Sequence, residues 1–385
     1  MTAHGPHRVL FVTHAYPRET GDVAGIFLHR FALALEARGH AVRVVAPASP
    51  GFPAEDRLDG ITVHRYRYAS EARETLAYTG TMAAQAFGSP GGFVALLGLL
   101  RAGTRAVRRE VSGWAPTMIH AHWWFPGALQ VRLARVDVPV VATLHGSDVR
   151  LARKNPIATW LARRALAGVT TTTVSHWLGA SSPVPPVAIA PMPLDDRVFD
   201  VPADAPMRIP GRIVFAGRLN AQKGILPLLD ALATLPATAT LDIFGDGPLR
   251  AEVDARVSAL GLTERVRFRG VVPPSELAPA FRTAHVVAVP SREEGLGLVA
   301  AEAVLCGAPV VGFRSGGLPD VVAPDAGMLV DPADPTALSA ALRDRLAHSP
   351  MTLPHDVRER LRDRLAPDAV ARRYEAIYDT AVRGD

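Results

Sequence analysis

Two carboxylates and two cations in this 385-residue chain stand on glycine turns where an apolar strand gives way to a helical pattern. Ser291-Arg-Glu-Glu-Gly-Leu-Gly-Leu-Val-Ala-Ala-Glu302 follows the apolar run His285–Pro290 and sets Glu293 and Glu294 before Gly295 and Gly297. A strand that ends in a glycine turn and feeds a helix leaves backbone N–H groups pointing outward. With the helix dipole, these groups make an anion site. Acids there would repel a bare phosphate. A ligand with two faces removes the conflict, with phosphate for the amides and hydroxyls for the acids. A nucleotide sugar is such a ligand. A helix rises ~1.5 Å per residue, so Glu302 falls about one turn inside the helix that Glu294 precedes. One acid then reaches hydroxyls at the loop and the other a ribose. A capping Glu294 and a solvated Glu302 explain each acid singly, but not an acid on the apolar Ala-Glu-Ala-Val-Leu face.

A second constellation, Phe215-Ala-Gly217-Arg218-Leu-Asn-Ala-Gln-Lys223-Gly224, sits on another strand-to-helix turn. Arg218 as a planar fork and Lys223 as a point charge can balance about two phosphate charges. A third, His120-Ala-His122-Trp123-Trp124, closes a strand. Histidines at i and i+2 share a face and could bind a metal, but no partner cysteine or acidic pair accompanies them. Packing and the lining of an acceptor pocket by His122, Trp123 and Trp124 are favoured, since aromatics suit the C–H face of a sugar. His14, after the first strand, is a further acceptor-site candidate.

The elements that must place these groups alternate. Arg8–Thr13, the helical pattern Ile26–Arg38 closed by Gly39, and Ala41–Pro47 form a βαβ unit. Ile61–Tyr68 reads as an added strand at an edge, and Thr117–His120, Val138–Leu144 and Val169–Val174 continue the series. Pro-rich punctuation at 181–186 and 202–206 marks a linker over 191–208. Beyond it Arg212–Ala216, Ala239–Phe244, Val266–Phe268, Val286–Val289 and Pro309–Gly312 alternate with helical segments. The reading is α/β, with two Rossmann-like doubly wound parallel-sheet domains. The first is 1–190, joined by a closing helix over 367–383, and the second is 209–366.

At 385 residues the chain suits two cores, and 48% hydrophobic with 21% charged residues excludes disorder. A lone Cys306 excludes an internal disulfide and a cysteine zinc cluster, which fits a reducing cytoplasm. The opening Met1–Arg8 holds no signal-peptide core. The net charge of +5 favours acidic ligands, while the dispersed arginines disfavour nucleic acid. Phe93–Leu100 followed by Arg101, Arg105, Arg108 and Arg109 allows two readings. One is a buried helix with a cationic end. The other is an interfacial helix over 93–109 that makes peripheral contact with an anionic inner-membrane face or a lipid-linked acceptor.

Gly-Arg-Leu…Lys-Gly, then Pro-Ser-Arg-Glu-Glu-Gly-Leu-Gly-Leu…Glu-Ala…Cys-Gly-Ala-Pro-Val-Val, resembles the retaining GT-B glycosyltransferases of family 4. Their Glu-x7-Glu signature is matched by Glu294 and Glu302. In the first half the resemblance takes in Gly25-Ile-Phe, Ala37-Arg-Gly-His-Ala-Val, His145-Gly-Ser-Asp148 and Thr173-Val-Ser175. It implies two domains facing a cleft and transfer of a sugar (hexosyl) group from a UDP- or GDP-sugar to a hydroxyl of a glycan, lipid-linked or small-molecule acceptor. Gly217 lies in the diphosphate turn, where Arg218 and Lys223 hold the donor diphosphate, and Glu302 holds the ribose. Glu294 and the amides of Gly295, Leu296, Gly297 and Leu298 hold the sugar and distal phosphate. His145 approaches the sugar, Val272 in the Gly270–Pro273 turn meets the base, and Gly25 lets the N-terminal loop approach the diphosphate. Retention by front-face attack needs no metal, other cofactor or dedicated base. Closure about the linker on binding nucleotide is expected. Two features depart from the family pattern. Asp22-Val-Ala24 separates Gly21 from Gly25, and Pro191–Asp195 lacks the usual Asn-Gly. A GT-B epimerase and a non-catalytic binding protein are the alternatives. A dinucleotide oxidoreductase is disfavoured, because no Gly-x-Gly-x-x-Gly follows the first strand.

Overall fold

The structure, a computed structural model, describes residues 5–78 and 82–383. The first residues of the opening stretch, 1–4, lie outside them. The chain forms two compact units. One runs up to Pro193 and resumes at Pro367, and the other is Leu194–Ala366.

The first unit is built on a sheet ordered β3-β4-β2-β1-β5-β6-β7-β8 among the described residues. Its strands are β1 (Arg8–Val12), β2 (Ala41–Pro47), β3 (Glu55–Leu58), β4 (Ile61–Tyr66), β5 (Met118–His122), β6 (Val140–Leu144), β7 (Thr170–Thr173) and β8 (Ala188–Ile189). All pairings are parallel except β3 with β4. The apolar runs of β1 and β2 are buried because helices cover both faces. β4 is not an edge strand. It pairs with β2 on one side and β3 on the other, because Asp59 and Gly60 both take positive φ and fold the chain back as a tight hairpin. Helix Pro367–Arg383 buries Val370, Tyr374 and Tyr378 in this unit. Glu375 on the same helix clasps Arg38 and His40.

The second unit carries the order β11-β10-β9-β12-β13-β14, all parallel. These strands are β9 (Arg212–Ala216), β10 (Thr240–Phe244), β11 (Val266–Gly270), β12 (Val286–Val289), β13 (Val310–Phe313) and β14 (Gly327–Val330). Most of the stretch expected as a linker is packed structure here. Leu194 and Phe199 are fully buried. Arg282 binds the carbonyls of Val198 and Asp200, and buried Arg208 donates to those of Phe281, Ala284 and Cys306. Prolines punctuate 191–208 without unfastening it, because Arg282 and Arg208 tie it to the body of the second unit.

Candidate functional site

Strand order alone singles out one place in the second unit. The chain moves outward from β9 through β10 to β11, then returns to β12 on the other side of β9. Loops leaving the carboxyl ends of β9 and β12 therefore diverge and leave a crevice, the position where open α/β sheets bind ligands. Those loops are Gly217–Gly224 and Ser291–Gly297, the two constellations that chemistry had picked out.

Backbone contacts hold the loops together. Arg292 N–H donates to the Gln222 carbonyl at 2.8 Å, and the Gln222 side chain reaches the Glu293 carbonyl at 3.3 Å. Asn220 caps the short turn Ala221–Lys223 by accepting from Lys223 N–H at 3.1 Å. Gly224 has φ 70°, and a Cβ there would overlap the Pro290 carbonyl. Alanine at 224 is expected to cost at least ~1–2 kcal/mol from the left-handed backbone alone, with the overlap adding to it. A urea midpoint unchanged in Gly224→Ala would show that the two loops can part.

Ion pairing and open helix ends define the electrostatics. Lys223 Nζ lies 2.7 Å from Glu294 Oε2, with side chains only 21% and 15% exposed, so this pair is better shielded than a surface one. Arg218 is exposed on the same loop. Helices Ile225–Ala233 and Leu298–Leu305 begin at Gly224 and Gly297, and no side chain caps either. Two sets of first-turn N–H groups are thus left for water or a ligand. Glu302 sits half-buried inside the second helix. Glu293 adopts φ 50°, an uncommon conformation for a residue with a side chain. Its N–H donates to Ser315 Oγ at 2.9 Å, and Gly317 N–H donates to the Glu294 carbonyl at 2.8 Å.

Two supports were missed in reading the sequence. Ser315-Gly316-Gly317 braces the acidic loop from behind, and a Cβ on Gly316 would collide with the Glu294 backbone. Gly245-Asp246-Gly247, after β10, braces the Arg218 loop. Gly217 N–H donates to the Phe244 carbonyl at 2.9 Å and Leu219 N–H to that of Asp246 at 3.0 Å. Gly245 N–H donates to the Gly270 carbonyl at 2.7 Å, which ties in the turn carrying half-buried Val272. Both supports are glycine pairs at strand ends, and that was the available signal.

In the first unit the corresponding crevice lies between β1 and β5. His14 follows β1, Trp123 follows β5 and His145 follows β6. Trp123 joins the other two rings, with centroids 4.3 Å from His14 and 4.4 Å from His145, and Phe27 lies 5.4 Å from His145. Burial lowers the His14 pKa to about 4 and that of His145 to about 3, so both are neutral near pH 7. Asp148 is buried and holds the loop by accepting from the N–H groups of His145, Gly146 and Trp124.

Not every aromatic of the set reaches a ligand. His122 is fully enclosed, and Trp124 is 2% exposed with its indole N–H donating to the Asp148 carbonyl at 2.7 Å. These two support the site and do not line it. His120 has both ring nitrogens engaged, at 2.7 Å from Tyr378 Oη and 2.7 Å from Thr143 Oγ1, which removes it as a metal ligand. No cluster of metal-ligating side chains occurs among the described residues. Gly25 has φ 70°, and a Cβ there would strike the Ala15 carbonyl, so packing within the loop requires glycine at this position.

Residues 210–348 match a family model described as glycosyl transferases group 1, and residues 24–181 match one described as Glycosyltransferase Family 4. The D-inositol 3-phosphate glycosyltransferase of Xylanimonas cellulosilytica is 32% identical over 397 residues, covering 89% of each chain. Sucrose-phosphate synthase from Thermosynechococcus elongatus matches in structure with a TM-score of 0.80 at 22% identity, over 98% of this chain and 100% of that one. Anabaena HepE in complex with UDP-glucose gives 0.69 at 19% identity, over 97% and 100%. The structural likenesses give the GT-B fold, and the near full-length sequence match gives more: the chain belongs to glycosyltransferase family 4 and is a glycosyltransferase.

Proposed function

We propose that the protein moves a sugar from a nucleoside-diphosphate sugar to a hydroxyl of a glycan, lipid-linked or small-molecule acceptor, with retention of configuration and without a metal. One observation carries this reading. Arg218 and the Lys223–Glu294 pair lie at the switch point of the second unit, beside two uncapped helix N-termini. Two cations and two sets of amides suit a diphosphate, while Glu294 and Glu302 accept from sugar and ribose hydroxyls. In the first unit His145 serves the sugar, and half-buried His14, with Trp123 behind it, serves the acceptor. The HepE complex supports the donor class, since that protein was solved with UDP-glucose.

As the carbon–oxygen bond to the diphosphate breaks, negative charge grows on the leaving oxygen, where Arg218, Lys223 and the helix amides stabilise it. The same oxygen takes the proton of the acceptor hydroxyl, whose oxygen bonds to the anomeric carbon on the face that the diphosphate is leaving, so the enzyme supplies charge and placement rather than a base. Incubation with UDP- and GDP-sugars in EDTA, followed by NMR of the product, tests this. The expected product keeps the donor's anomeric configuration, and turnover is unchanged by EDTA. Inverted product or strict metal dependence would overturn the scheme.

Peripheral membrane contact belongs to the same reading. Among the described residues no helix is long and apolar enough to cross a membrane. Helix Pro90–Trp114 buries Leu96 and Leu99 but exposes Phe93, Val94 and Leu97 ahead of its arginines. Arg108 spends its guanidinium on the carbonyls of Leu133 and Ala134. Helix Pro156–Ala165 exposes Ile157 and Trp160 beside Arg163 and Arg164. Apolar residues beside cations suit an anionic lipid surface. The protein is expected to sediment with anionic but not neutral vesicles, and Val94→Ser/Leu97→Ser is expected to stay in solution. Sedimentation unchanged in that variant would remove this helix as the contact.

A further inference from the structure

His122 is fully buried, with its ring centroid 4.8 Å from Phe11 and 4.1 Å from His120. It has no path to a ligand, yet its Nδ1 lies 3.3 Å from Nε2 of His145. Both imidazoles are neutral, so each carries one ring proton, and across this contact one nitrogen donates while the other accepts. The choice fixes what His145 shows on its other edge. If His145 donates from Nε2, its Nδ1 is an acceptor. If it accepts at Nε2, its Nδ1 carries the proton and is a donor.

The interior decides between the two. His122 Nε2 is enclosed and has no hydrogen-bond partner. Were His145 the donor, His122 would carry its own proton on that enclosed Nε2, as an N–H with nothing to accept it. In the opposite arrangement the enclosed atom is a bare lone pair. Orphaned buried N–H groups are the rarer of the two in folded proteins, and an unmet buried donor loses its full hydration. His120 offers no escape, since Tyr378 and Thr143 occupy both of its nitrogens. Trp123 and Phe27 lie against the His145 ring and restrict its reorientation.

We propose that His122 is a positioning residue that holds His145 as the Nδ1–H tautomer, so that His145 offers a hydrogen-bond donor to an oxygen of the bound sugar. The proposal rests on the reading that His145 faces the ligand. His122 is a structural switch-setter here and touches no substrate itself. Burial keeps the His145 pKa near 3, so the donor stays neutral and the tautomer does not change through the physiological range.

The test uses the ring ¹⁵N spectrum of the full-length protein, with His145 assigned by comparison with His145→Gln. The wild type is expected to show a protonated Nδ1 and an unprotonated Nε2 at His145. In His122→Phe the populations are expected to move toward Nε2–H, and kcat to fall about tenfold while donor KM stays within about twofold, the signature of about 1.4 kcal/mol lost at the transition state. His122→Asn, whose amide N–H replaces Nδ1–H, is expected to recover most of that loss. A wild-type His145 protonated at Nε2, or a His122→Phe enzyme with unchanged kcat, overturns the proposal. Should His122→Phe fail to fold, the wild-type spectrum still decides. Full activity in His145→Gln would instead overturn the ligand-facing role of His145, a failure distinct from that of the tautomer.

Discussion

Replacing Lys223 by alanine is expected to lower turnover by ~10²–10³, the usual cost of deleting one preorganised charge donor. Arg218→Ala is expected to fall in the same range by the same route. Lys223 has a defined resting partner, Glu294 Oε2 at 2.7 Å. On the proposed reading, a diphosphate entering this crevice is expected to take over the ammonium or share it with the carboxylate. The exchange keeps the cation in place without leaving it unpaired in a half-buried site. The loss should appear in kcat and in kcat/KM together, since charge grows on the leaving oxygen only as the bond breaks. A Lys223→Ala enzyme within twofold of wild type would mean that the helix amides and Arg218 suffice.

Glu294→Gln is the second large effect, and its two readouts move in opposite directions. Turnover is expected to drop by ~10² or more, because the amide no longer accepts strongly from the sugar hydroxyls as charge develops. Affinity for free nucleoside diphosphate is expected to rise about fivefold, reflecting ~1 kcal/mol from removing a competing carboxylate beside Lys223. Calorimetry and steady-state kinetics on one preparation separate the two. If affinity and turnover fall together, Glu294 is a clamp that holds Lys223 in place and not a reader of the sugar.

Much of the candidate site in the second unit is legible in the residues because its signals are local. A buried strand, a loop that combines glycines with cations or acids, and an apolar helix face follow one another at 212–233 and again at 286–305. Each piece constrains its neighbours through backbone geometry. What is not legible depends on contacts between distant segments. Gly316 is required because its backbone passes against Glu294, and Gly245 because it passes against Gly217, and neither has a periodic signature. Burial of His122 follows from Phe11 and Phe31, and that of Trp124 from Asp148, which come from other segments of the chain. Composition reads 191–208 as a linker, but Phe199 and Arg208 lie in it, and their partners lie in Pro274–Thr283 and at Cys306. The Asp59-Gly60 hairpin was a local signal that went unread, and it moves β4 from the edge to the interior of its sheet.

The proposed activity requires the crevice between the β9 and β12 loops to be a diphosphate site made by cations and helix amides. Calorimetric titration of UDP and of GDP, in EDTA, into the wild type and the Arg218→Ala/Lys223→Ala protein tests it most directly. The wild type is expected to bind at least one of the two nucleotides. The double variant, with an unchanged circular dichroism spectrum, is expected to bind at least ~10² more weakly, since each charge-assisted hydrogen bond contributes ~1.5–3 kcal/mol. Equal affinity in the two proteins, or no binding of either nucleotide to the wild type, would contradict it.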